Sequence, residues 1–262
     1  MPRFSANISM MFTELAFDAR FEAARNAGFG AVEFMFPYGY VPESLASALE
    51  EYALGLSVFN LPPGDWGGCE RGLAAVRGRE AEFAEGLDMA ARYGRILRAD
   101  RVHCMAGIAE GREAEACYIG NVRRAADKLA RQDCTVLIEP INTFDMPGFL
   151  IHNVQQMLDV IEESDHDNIK MQFDIYHMAR MEEGDVSAII SRLGNKIGHI
   201  QFADVPGRGE PGTGELDFKS IFYAIEYSSY EGWVGAEYKP TKYTEDTLRW
   251  KQFITSSIAM CS

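Results

Sequence analysis

The fold is decided by residues 136–174, which read VLIEPINTFDMPGFLIHNVQQMLDVIEESDHDNIKMQFD. The stretch opens with a short apolar run at Val136–Glu139, continues through an amphipathic segment at Asn153–Glu163, and closes with a second apolar run at Ile169–Asp174. Short apolar runs separated by a helical pattern are typical of a strand–helix–strand unit with parallel strands. The same alternation recurs on both sides of this stretch.

Working outward, the pattern predicts eight strands, each followed by a helix. The predicted strands are Phe4–Ser9, Ala31–Phe34, Leu56–Asn60, Arg101–Met105, Val136–Glu139, Ile169–Asp174, Ile197–Phe202 and Trp233–Tyr238. The predicted helices are Leu15–Ala27, Ser44–Tyr52, Arg79–Tyr93, Ala114–Gln132, Asn153–Glu163, Ser187–Leu193, Phe218–Tyr227 and Thr244–Ala259. Eight such units in 262 residues match the size of a closed α/β barrel, so we predict a single (β/α)8 TIM-barrel domain over residues 1–262.

Composition narrows the classes of protein and partner. The chain has 25 basic and 39 acidic residues, and its net charge of −14 opposes binding to nucleic acid or to anionic membranes. No stretch approaches the roughly 18 consecutive apolar residues of a membrane span. The five cysteines form no C-x-x-C pair, and the first residues show no apolar signal-peptide core, so we expect a cytoplasmic protein without a disulfide framework.

Oxygen-bearing side chains end four consecutive strands. Glu139, Asp174, Gln201 and Glu237 follow one another at intervals of 35, 27 and 36 residues, close to the length of about 30 residues of one βα unit. A single acid at a strand end is commonly a helix cap. Four oxygen-bearing side chains at the same position in four successive units favour a shared site. This end of a barrel is where catalytic residues lie.

Three carboxylates that meet at one rim repel each other unless their pKa values rise or a cation lies between them. Three carboxylates and one amide are oxygen ligands, which hard ions prefer. The sequence therefore predicts a divalent metal, Mg2+ or Mn2+, bound by Glu139, Asp174, Gln201 and Glu237.

Other side chains near the same strand ends are candidates for binding a substrate. His177, three residues after Asp174, could hydrogen-bond a substrate oxygen, and Asn7 could do so from the first strand. Lys239 and Arg208 are the cations we expect beside a substrate carboxylate. Arg208 also opens the Gly-rich segment RGEPGTG, whose backbone N–H groups could hold an anion.

The long Gly- and Pro-rich segment Leu61–Arg79 follows the third strand. Such a loop within a compact domain is usually functional, and Trp66 within it is a candidate lid residue that contacts substrate. Glu33 and His199 lie inside predicted strands, where Glu33 could line the barrel lumen and His199 could be structural one layer deeper.

These residues resemble the hydroxypyruvate isomerase family of the xylose-isomerase-like barrels, with the 2-oxo-tetronate isomerases as the nearest branch. The resemblance covers essentially the whole chain. It rests on Phe4–Asn7, Val32–Tyr38, Pro63–Trp66, Leu137–Asn142, Phe173–Met178, Arg208–Glu215 and Gly232–Pro240.

The resemblance implies an isomerase that interconverts hydroxypyruvate and tartronate semialdehyde through a cis-enediolate. It implies that Glu139 and Glu237 are the proton donor and acceptor, and that His177 contacts the substrate. The related ketose 3-epimerases hold Mn2+ or Mg2+ with Glu, Asp, His and Glu. Glu139, Asp174 and Glu237 match that set, and Gln201 stands where the histidine would be.

Other readings stay open from the sequence. A 2-oxo-tetronate isomerase, or another sugar-acid or ketose isomerase or epimerase of this fold, would use the same rim. A metal-dependent hydrolase and a sugar-acid binding protein are the alternatives outside isomerase chemistry. The partner expected in each isomerase reading is a small hydroxy-oxo acid, and the sequence is also compatible with a homo-oligomer.

Overall fold

The computed structural model describes residues 2–182 and 184–252 and contains a closed barrel of eight parallel strands. Each strand pairs with the next along the chain, and the last pairs with the first. The strands are β1 Arg3–Asn7, β2 Ala31–Phe34, β3 Gly55–Asn60, β4 Arg101–His103, β5 Thr135–Ile138, β6 Ile169–Asp174, β7 Ile197–Phe202 and β8 Trp233–Ala236. The predicted (β/α)8 fold is confirmed.

Helices surround the barrel. They are α1 Ala19–Asn26, α2 Pro42–Glu51, α3 Glu80–Leu97, α4 Arg112–Ala130, α5 Val154–Ser164, α6 Ile175–Met181, α7 Val186–Leu193 and α8 Phe218–Glu226. Short 3₁₀ turns occupy Pro37–Gly39, Gly194–Lys196 and Thr244–Thr247.

Several helices differ from the sequence-based prediction, and α3 runs four residues past its predicted end, to Leu97. The first begins at Ala19 rather than Leu15, because Asp18 caps it by accepting a hydrogen bond from the Ala19 amide. Helix α6 was not expected and starts directly at the end of β6. Of the predicted helix Thr244–Ala259, the beginning is a 3₁₀ turn, and residues 253–259 lie outside the described residues.

The layer between the barrel and α8 is rich in aromatic rings. Phe4 of β1 and Phe202 of β7 make edge-to-face contacts with each other, with Phe222 of α8 and with Trp250. Such pairs add about 0.5–1.5 kcal/mol each to the gain from burial. They hold β7, β8 and β1 together at the side of the barrel that carries Gln201 and Glu237.

Within the described residues, no helix has the length and apolar character needed to cross a bilayer.

Cysteine reactivity should follow burial. Cys69 is exposed, whereas Cys104 and Cys134 are buried, and burial raises the pKa of each buried thiol to about 12. We expect a water-soluble disulfide reagent at pH 8 to modify Cys69 in the native protein and to reach Cys104 and Cys134 only after denaturation. Peptide mass mapping of a Cys261→Ser background checks this order. Native-state modification of Cys104 at the rate of Cys69 would contradict the packing.

Candidate active site

A polar cavity of about 100 Å³ opens at the carboxyl ends of the strands. Polar and apolar side chains line it together, as in small-molecule sites. Its polar lining comprises Asn7, Glu33, Asn60, His103, Glu139, Gln172, His177, Gln201, Arg208 and Glu237. Apolar side chains complete the wall, namely Phe34, Met35, Val58, Trp66, Met105, Ile141 and Met146.

Most of the residues singled out from the sequence meet here. Seven line the cavity, namely Asn7, Trp66, Glu139, His177, Gln201, Arg208 and Glu237. Asp174 is fully buried beside it and contacts both Arg208 and His177. Lys239 does not line the cavity, which corrects the expectation that it meets a substrate carboxylate. Its side chain is exposed because the chain leaves the rim after Tyr238, and its backbone amide donates to the Arg208 carbonyl at 2.7 Å.

The three carboxyl groups are crowded and buried. Burial raises the pKa of Glu139 well above its usual value, and nearby Asp174 and Glu237 raise it further. Burial also raises the pKa of Glu237 well above its usual value, against the lowering effect of Arg208. For Asp174, burial raises the pKa to about 6 although Arg208 and backbone N–H groups lower it. Perturbed carboxyl groups that share one cavity are typical of acid/base sites.

Asp174 combines a structural and an electrostatic role. Its Oδ1 accepts a hydrogen bond from the Tyr176 amide at 2.9 Å and thereby caps α6. Its Oδ2 lies 3.4 Å from Arg208 Nη2 and 3.4 Å from His177 Nε2. The cap fixes the carboxylate plane, so the second oxygen faces Arg208 and His177.

Arg208 brings the positive charge that the cavity needs. Its Nη2 lies 3.2 Å from Glu237 Oε1, and its guanidinium stands over the Tyr176 ring at 5.0 Å. Only 14% of the side chain is exposed, so the charge acts in a low-dielectric environment. Arg208 is therefore positioned to pair with an anionic group that enters the cavity.

The loop that carries Arg208 is organised by Asp204. The Asp204 carboxylate accepts hydrogen bonds from the amides of Gly212 at 2.9 Å, Gly214 at 2.8 Å and Leu216 at 3.1 Å. A Cβ at Gly214 would lie 1.8 Å from the Val205 carbonyl oxygen, so the turn requires glycine there. The Gly-rich segment thus uses its backbone N–H groups to hold a carboxylate of its own chain.

Replacing Asp204 should loosen this loop. Asp204→Ala leaves three part-buried N–H groups without their acceptor, and we expect the free energy of unfolding to fall by about 1–2 kcal/mol. Because Arg208 would lose its support, KM for an anionic substrate should rise roughly tenfold. Urea unfolding and steady-state kinetics check both, and Asp204→Asn, which keeps one acceptor oxygen, is the matched control. Unchanged KM and stability in Asp204→Ala would refute this role.

His177 is held in one tautomer by its surroundings. The backbone amide of Asn142 donates to His177 Nδ1 at 3.3 Å, and an amide N–H can only donate, so the ring proton is on Nε2. Burial and then Arg208 lower the pKa of His177 well below its usual value, so the ring is neutral. The Nε2–H group faces Asp174 and also lies 3.9 Å from Glu139 Oε1. His177 therefore presents a hydrogen-bond donor to the cavity.

Glu33 forms the polar centre of the barrel lumen. Its carboxylate is contacted by His199 Nε2 at 2.8 Å, Gln201 Nε2 at 2.7 Å and Ser57 Oγ at 3.0 Å. Ser5 and Asn7 complete the set at 3.2 and 3.3 Å. Burial alone would raise the pKa of Glu33, but His199 and these hydrogen bonds lower it below its usual value. Glu33 thus stays ionised beneath the cavity.

A pair of amides connects this lumen cluster to Glu139. Gln172 Nε2 donates to Gln201 Oε1 at 2.7 Å and to Glu139 Oε2 at 3.0 Å. Gln201 in turn donates to Glu33. Sequence reasoning missed Gln172, although alternation along β6 places it on the same face as Asp174. The link fixes the orientation of both amides and of the Glu139 carboxylate.

His103 is a second site residue that was not predicted from the sequence. It is the last residue of β4, it is buried, and its Nδ1 lies 3.5 Å from Glu139 Oε2. Its place within a predicted strand concealed it, because the strand was predicted to continue to Met105. The strand ends two residues earlier, so His103 lies at the rim.

The donor set of the site fits a hard divalent cation. Glu139, Asp174 and His177 bring ligand atoms within 4.8 Å of one another. The proton on His177 Nε2 makes that atom a donor, so the two carboxylates are the better ligands of the three. Gln201 Oε1 accepts one hydrogen bond and keeps a second lone pair. The raised pKa values of Glu139 and Asp174 reflect the unfavourable charge that a cation would relieve.

Trp66 lies at the mouth of the cavity. Its ring contacts Phe36 at 5.1 Å between centroids, and the Arg71 guanidinium stands over it at 4.1 Å. Trp66 remains 38% exposed at this position. Residues 61–79 thus bring an aromatic side chain to the rim, and the role of Trp66 as a lid residue stays a prediction.

Sequence comparison places the chain among known proteins. The sequence model of the xylose isomerase-like TIM barrel family matches residues 21–252. Hydroxypyruvate isomerase of Escherichia coli is 47% identical over 95% of this chain and 98% of its own length. The chain belongs to the hydroxypyruvate isomerase family of these barrels. The 2-oxo-tetronate isomerase of Cupriavidus necator is 44% identical over 95% of this chain and 97% of its own length.

Solved structures agree with membership of the hydroxypyruvate isomerase family at the level of fold. A protein from Brucella melitensis described as an AP endonuclease of family 2 superposes with a TM-score of 0.93 at 43% identity, over 96% of this chain and 98% of that one. An L-ribulose 3-epimerase superposes with a TM-score of 0.77 at 24% identity over 97% of this chain and 87% of that one, and this likeness concerns the fold alone.

Proposed function

We propose that this protein is an isomerase that interconverts hydroxypyruvate and tartronate semialdehyde, with Glu139 and Glu237 as the acid/base pair. The observation that carries the proposal is the pair of buried carboxyl groups with raised pKa values around one cavity that also contains Arg208. The family membership supports this reaction over other chemistry of the fold, since the relative at 47% identity is a hydroxypyruvate isomerase and one at 42% is a putative hydroxypyruvate isomerase.

The reaction moves a carbonyl group to the adjacent carbon. One glutamate, as carboxylate, removes a proton from C3 of hydroxypyruvate and leaves a cis-enediolate with negative charge on the C2 oxygen. The C3 hydroxyl proton passes to the C2 oxygen, and a proton returned to C2 then gives the aldehyde at C3. A second carboxyl group beside the same carbons can supply that proton. His177 Nε2–H is positioned to donate to a substrate oxygen, and Arg208 pairs with the substrate carboxylate.

We propose a divalent metal at the same site, Mg2+ or Mn2+. Glu139 and Asp174 would hold it, with Glu237 and the amide oxygen of Gln201 as further oxygen ligands. When bound, such an ion supplies Lewis-acid stabilisation of the developing negative charge on oxygen. Its binding would also relieve the repulsion among the three carboxylates.

Removal of metal tests this cofactor. We expect dialysis against a chelator to lower kcat by at least about tenfold, and added Mn2+ or Mg2+ to restore it. Calorimetric titration of the stripped protein should show one Mn2+ site that Asp174→Asn weakens. Full activity in protein that elemental analysis shows to be free of metal would contradict the proposal.

The identity of the substrate is tested by direct comparison. Purified protein is incubated with hydroxypyruvate and with a four-carbon 2-oxo-tetronate, and products are followed by proton NMR. We expect the higher kcat/KM with hydroxypyruvate. A higher value with the tetronate would assign the four-carbon reaction instead, which the 44% identical relative makes the second candidate. No product from either acid by folded protein would overturn the proposal.

The alternatives outside isomerase chemistry are less well supported. The Brucella structure carries an endonuclease description, but three carboxylates around this cavity and a net charge of −14 oppose binding of a polyanion. A sugar-acid binding protein would gain nothing from three buried acids beside its anionic ligand. The cytoplasmic location, the absence of a nucleic-acid partner and a homo-oligomeric state remain predictions.

A further inference from the structure

His103 is a buried histidine that faces the cavity without a hydrogen-bond partner for its ring. Only 1% of the residue is exposed, and it lines the cavity at the end of β4. Neither Nδ1 nor Nε2 has a hydrogen-bond partner among the described residues. The approach of Nδ1 to Glu139 Oε2, at 3.5 Å, falls short of a hydrogen bond. Buried polar groups are nearly always paired, so an unpaired ring that points into a ligand cavity indicates a ligand contact.

The other histidines of the site are already engaged. His177 accepts from the Asn142 amide through Nδ1 and points Nε2–H at Asp174. His199 contacts Glu33 through Nε2 and does not line the cavity. His103 is therefore the histidine of the described cavity whose two ring nitrogens are both free for a ligand.

The chemistry of the ring suits a contact with a substrate oxygen. A neutral imidazole offers one N–H donor and one acceptor. As a donor it can stabilise an oxygen that gains negative charge without introducing a fixed cation beside Glu139, and neutral imidazole serves as an electrophile in this way in carbonyl enolisation.

We propose that His103 is a catalytic residue that donates a ring N–H to the substrate oxygen on which negative charge develops, on the side of the substrate that faces Glu139. The inference rests on the proposed function. Glu139 follows β5, and β4 and β5 are neighbours, with His103 paired to Leu137 in register. Glu139 and His103 therefore approach the same end of the substrate, which is the arrangement that an enolisation step needs.

The geometry also predicts how the contribution divides between binding and turnover. Proton removal makes the oxygen more negative, so a hydrogen bond to it strengthens in the transition state. We therefore expect removal of the donor to lower kcat more than it raises KM. Substitution of a residue that only fills the barrel would lower the free energy of unfolding and would not lower kcat more than it raises KM.

The kinetic test compares three variants with wild-type protein. His103→Leu keeps the volume and removes both nitrogens, His103→Asn retains a donor near the Nδ1 position, and His103→Gln retains one near the Nε2 position. We expect His103→Leu to lower kcat by about 10²-fold, as for loss of one transition-state donor, with partial recovery in one of the two amide variants. His166→Leu, a histidine substitution away from the cavity, is the matched control.

A binding test separates this inference from the proposed function. N-hydroxyoxamate is a planar mimic of the enediolate, whereas D-glycerate has a tetrahedral C2 and lacks the planar, charged oxygens of that intermediate. Calorimetry is carried out on wild-type and variant protein with the same metal content. We expect His103→Leu to weaken the binding of N-hydroxyoxamate by at least about tenfold and that of D-glycerate by less than about threefold. Circular dichroism and urea unfolding confirm that each variant is folded.

The two tests decide the proposed isomerase function and the role of His103 separately. Wild-type protein that converts neither hydroxypyruvate nor a 2-oxo-tetronate would overturn the proposed function, and the binding test would still decide the role of His103. A His103→Leu variant with kcat and N-hydroxyoxamate affinity within about twofold of wild type would overturn the inference while the isomerase assignment stands.

Discussion

Glu139→Gln lowers kcat by about 10²-fold or more while the fold stays intact. The amide has the shape of the carboxyl group but can neither take nor return a proton at neutral pH. Its oxygen still accepts the hydrogen bond from Gln172, so the side chain should keep its place. Burial and the neighbouring acids disfavour the charged form of Glu139, so loss of the charge should not lower the free energy of unfolding.

Glu237→Gln is also expected to lower kcat. Glu237 contacts Arg208 through Oε1, and a glutamine oxygen can keep that contact in weaker form. Glu85→Gln, an exposed glutamate on α3, is the matched control and should retain wild-type kcat. Stopped assays with circular dichroism on each variant provide the measurement. Near-wild-type kcat in either Glu139→Gln or Glu237→Gln would refute the two-carboxylate mechanism.

Glu33→Ala is expected to produce the largest loss of stability. The carboxylate is the common acceptor for His199, Gln201 and Ser57, and the alanine variant leaves all of them buried without it. A buried donor left without its acceptor costs about 1–3 kcal/mol, and three donors lose theirs here. The barrel has adapted to this group, since a Cβ at Gly235 would lie 2.5 Å from Glu33 Oε2.

Urea unfolding at neutral pH measures the effect of Glu33→Ala. Glu33→Gln, which keeps the volume and one acceptor oxygen, should lie between the alanine variant and wild type. Because Gln201 and Gln172 connect Glu33 to Glu139, the alanine variant should also lose activity. A free energy of unfolding within about 1 kcal/mol of wild type would show that the lumen does not depend on this charge.

The barrel and most of its rim could be predicted from the sequence. Apolar runs at a regular interval set the strand count, and the same interval placed Glu139, Asp174, Gln201 and Glu237 on neighbouring strands. The prediction for Arg208 also placed it at the cavity, because the residues that follow β7 return to the rim. The local sequence pattern is sufficient to predict those strands and rim residues that recur in every βα unit.

What could not be predicted depends on tertiary geometry. Lys239 is near Glu237 in sequence, but the chain turns outward after Tyr238. The role of Glu33 follows from a contact with Gln201 of β7, far away in the chain, and that of Gln172 from contacts with side chains of the neighbouring strands. The order of residues along the chain does not reveal either set of contacts. His103 needed the true end of β4, and strand ends are the least reliable part of a sequence-based assignment.

The central claim is that a carboxylate in this cavity removes a proton from a hydroxy-oxo acid. Incubation with hydroxypyruvate in D2O, followed by proton NMR, tests it most directly. The account predicts that wild-type protein incorporates deuterium at the carbon next to the carbonyl faster than an enzyme-free sample, and that Glu139→Gln reduces this rate to near the background. Formation of tartronate semialdehyde with no deuterium incorporation, or exchange that is unchanged in Glu139→Gln, would contradict the account.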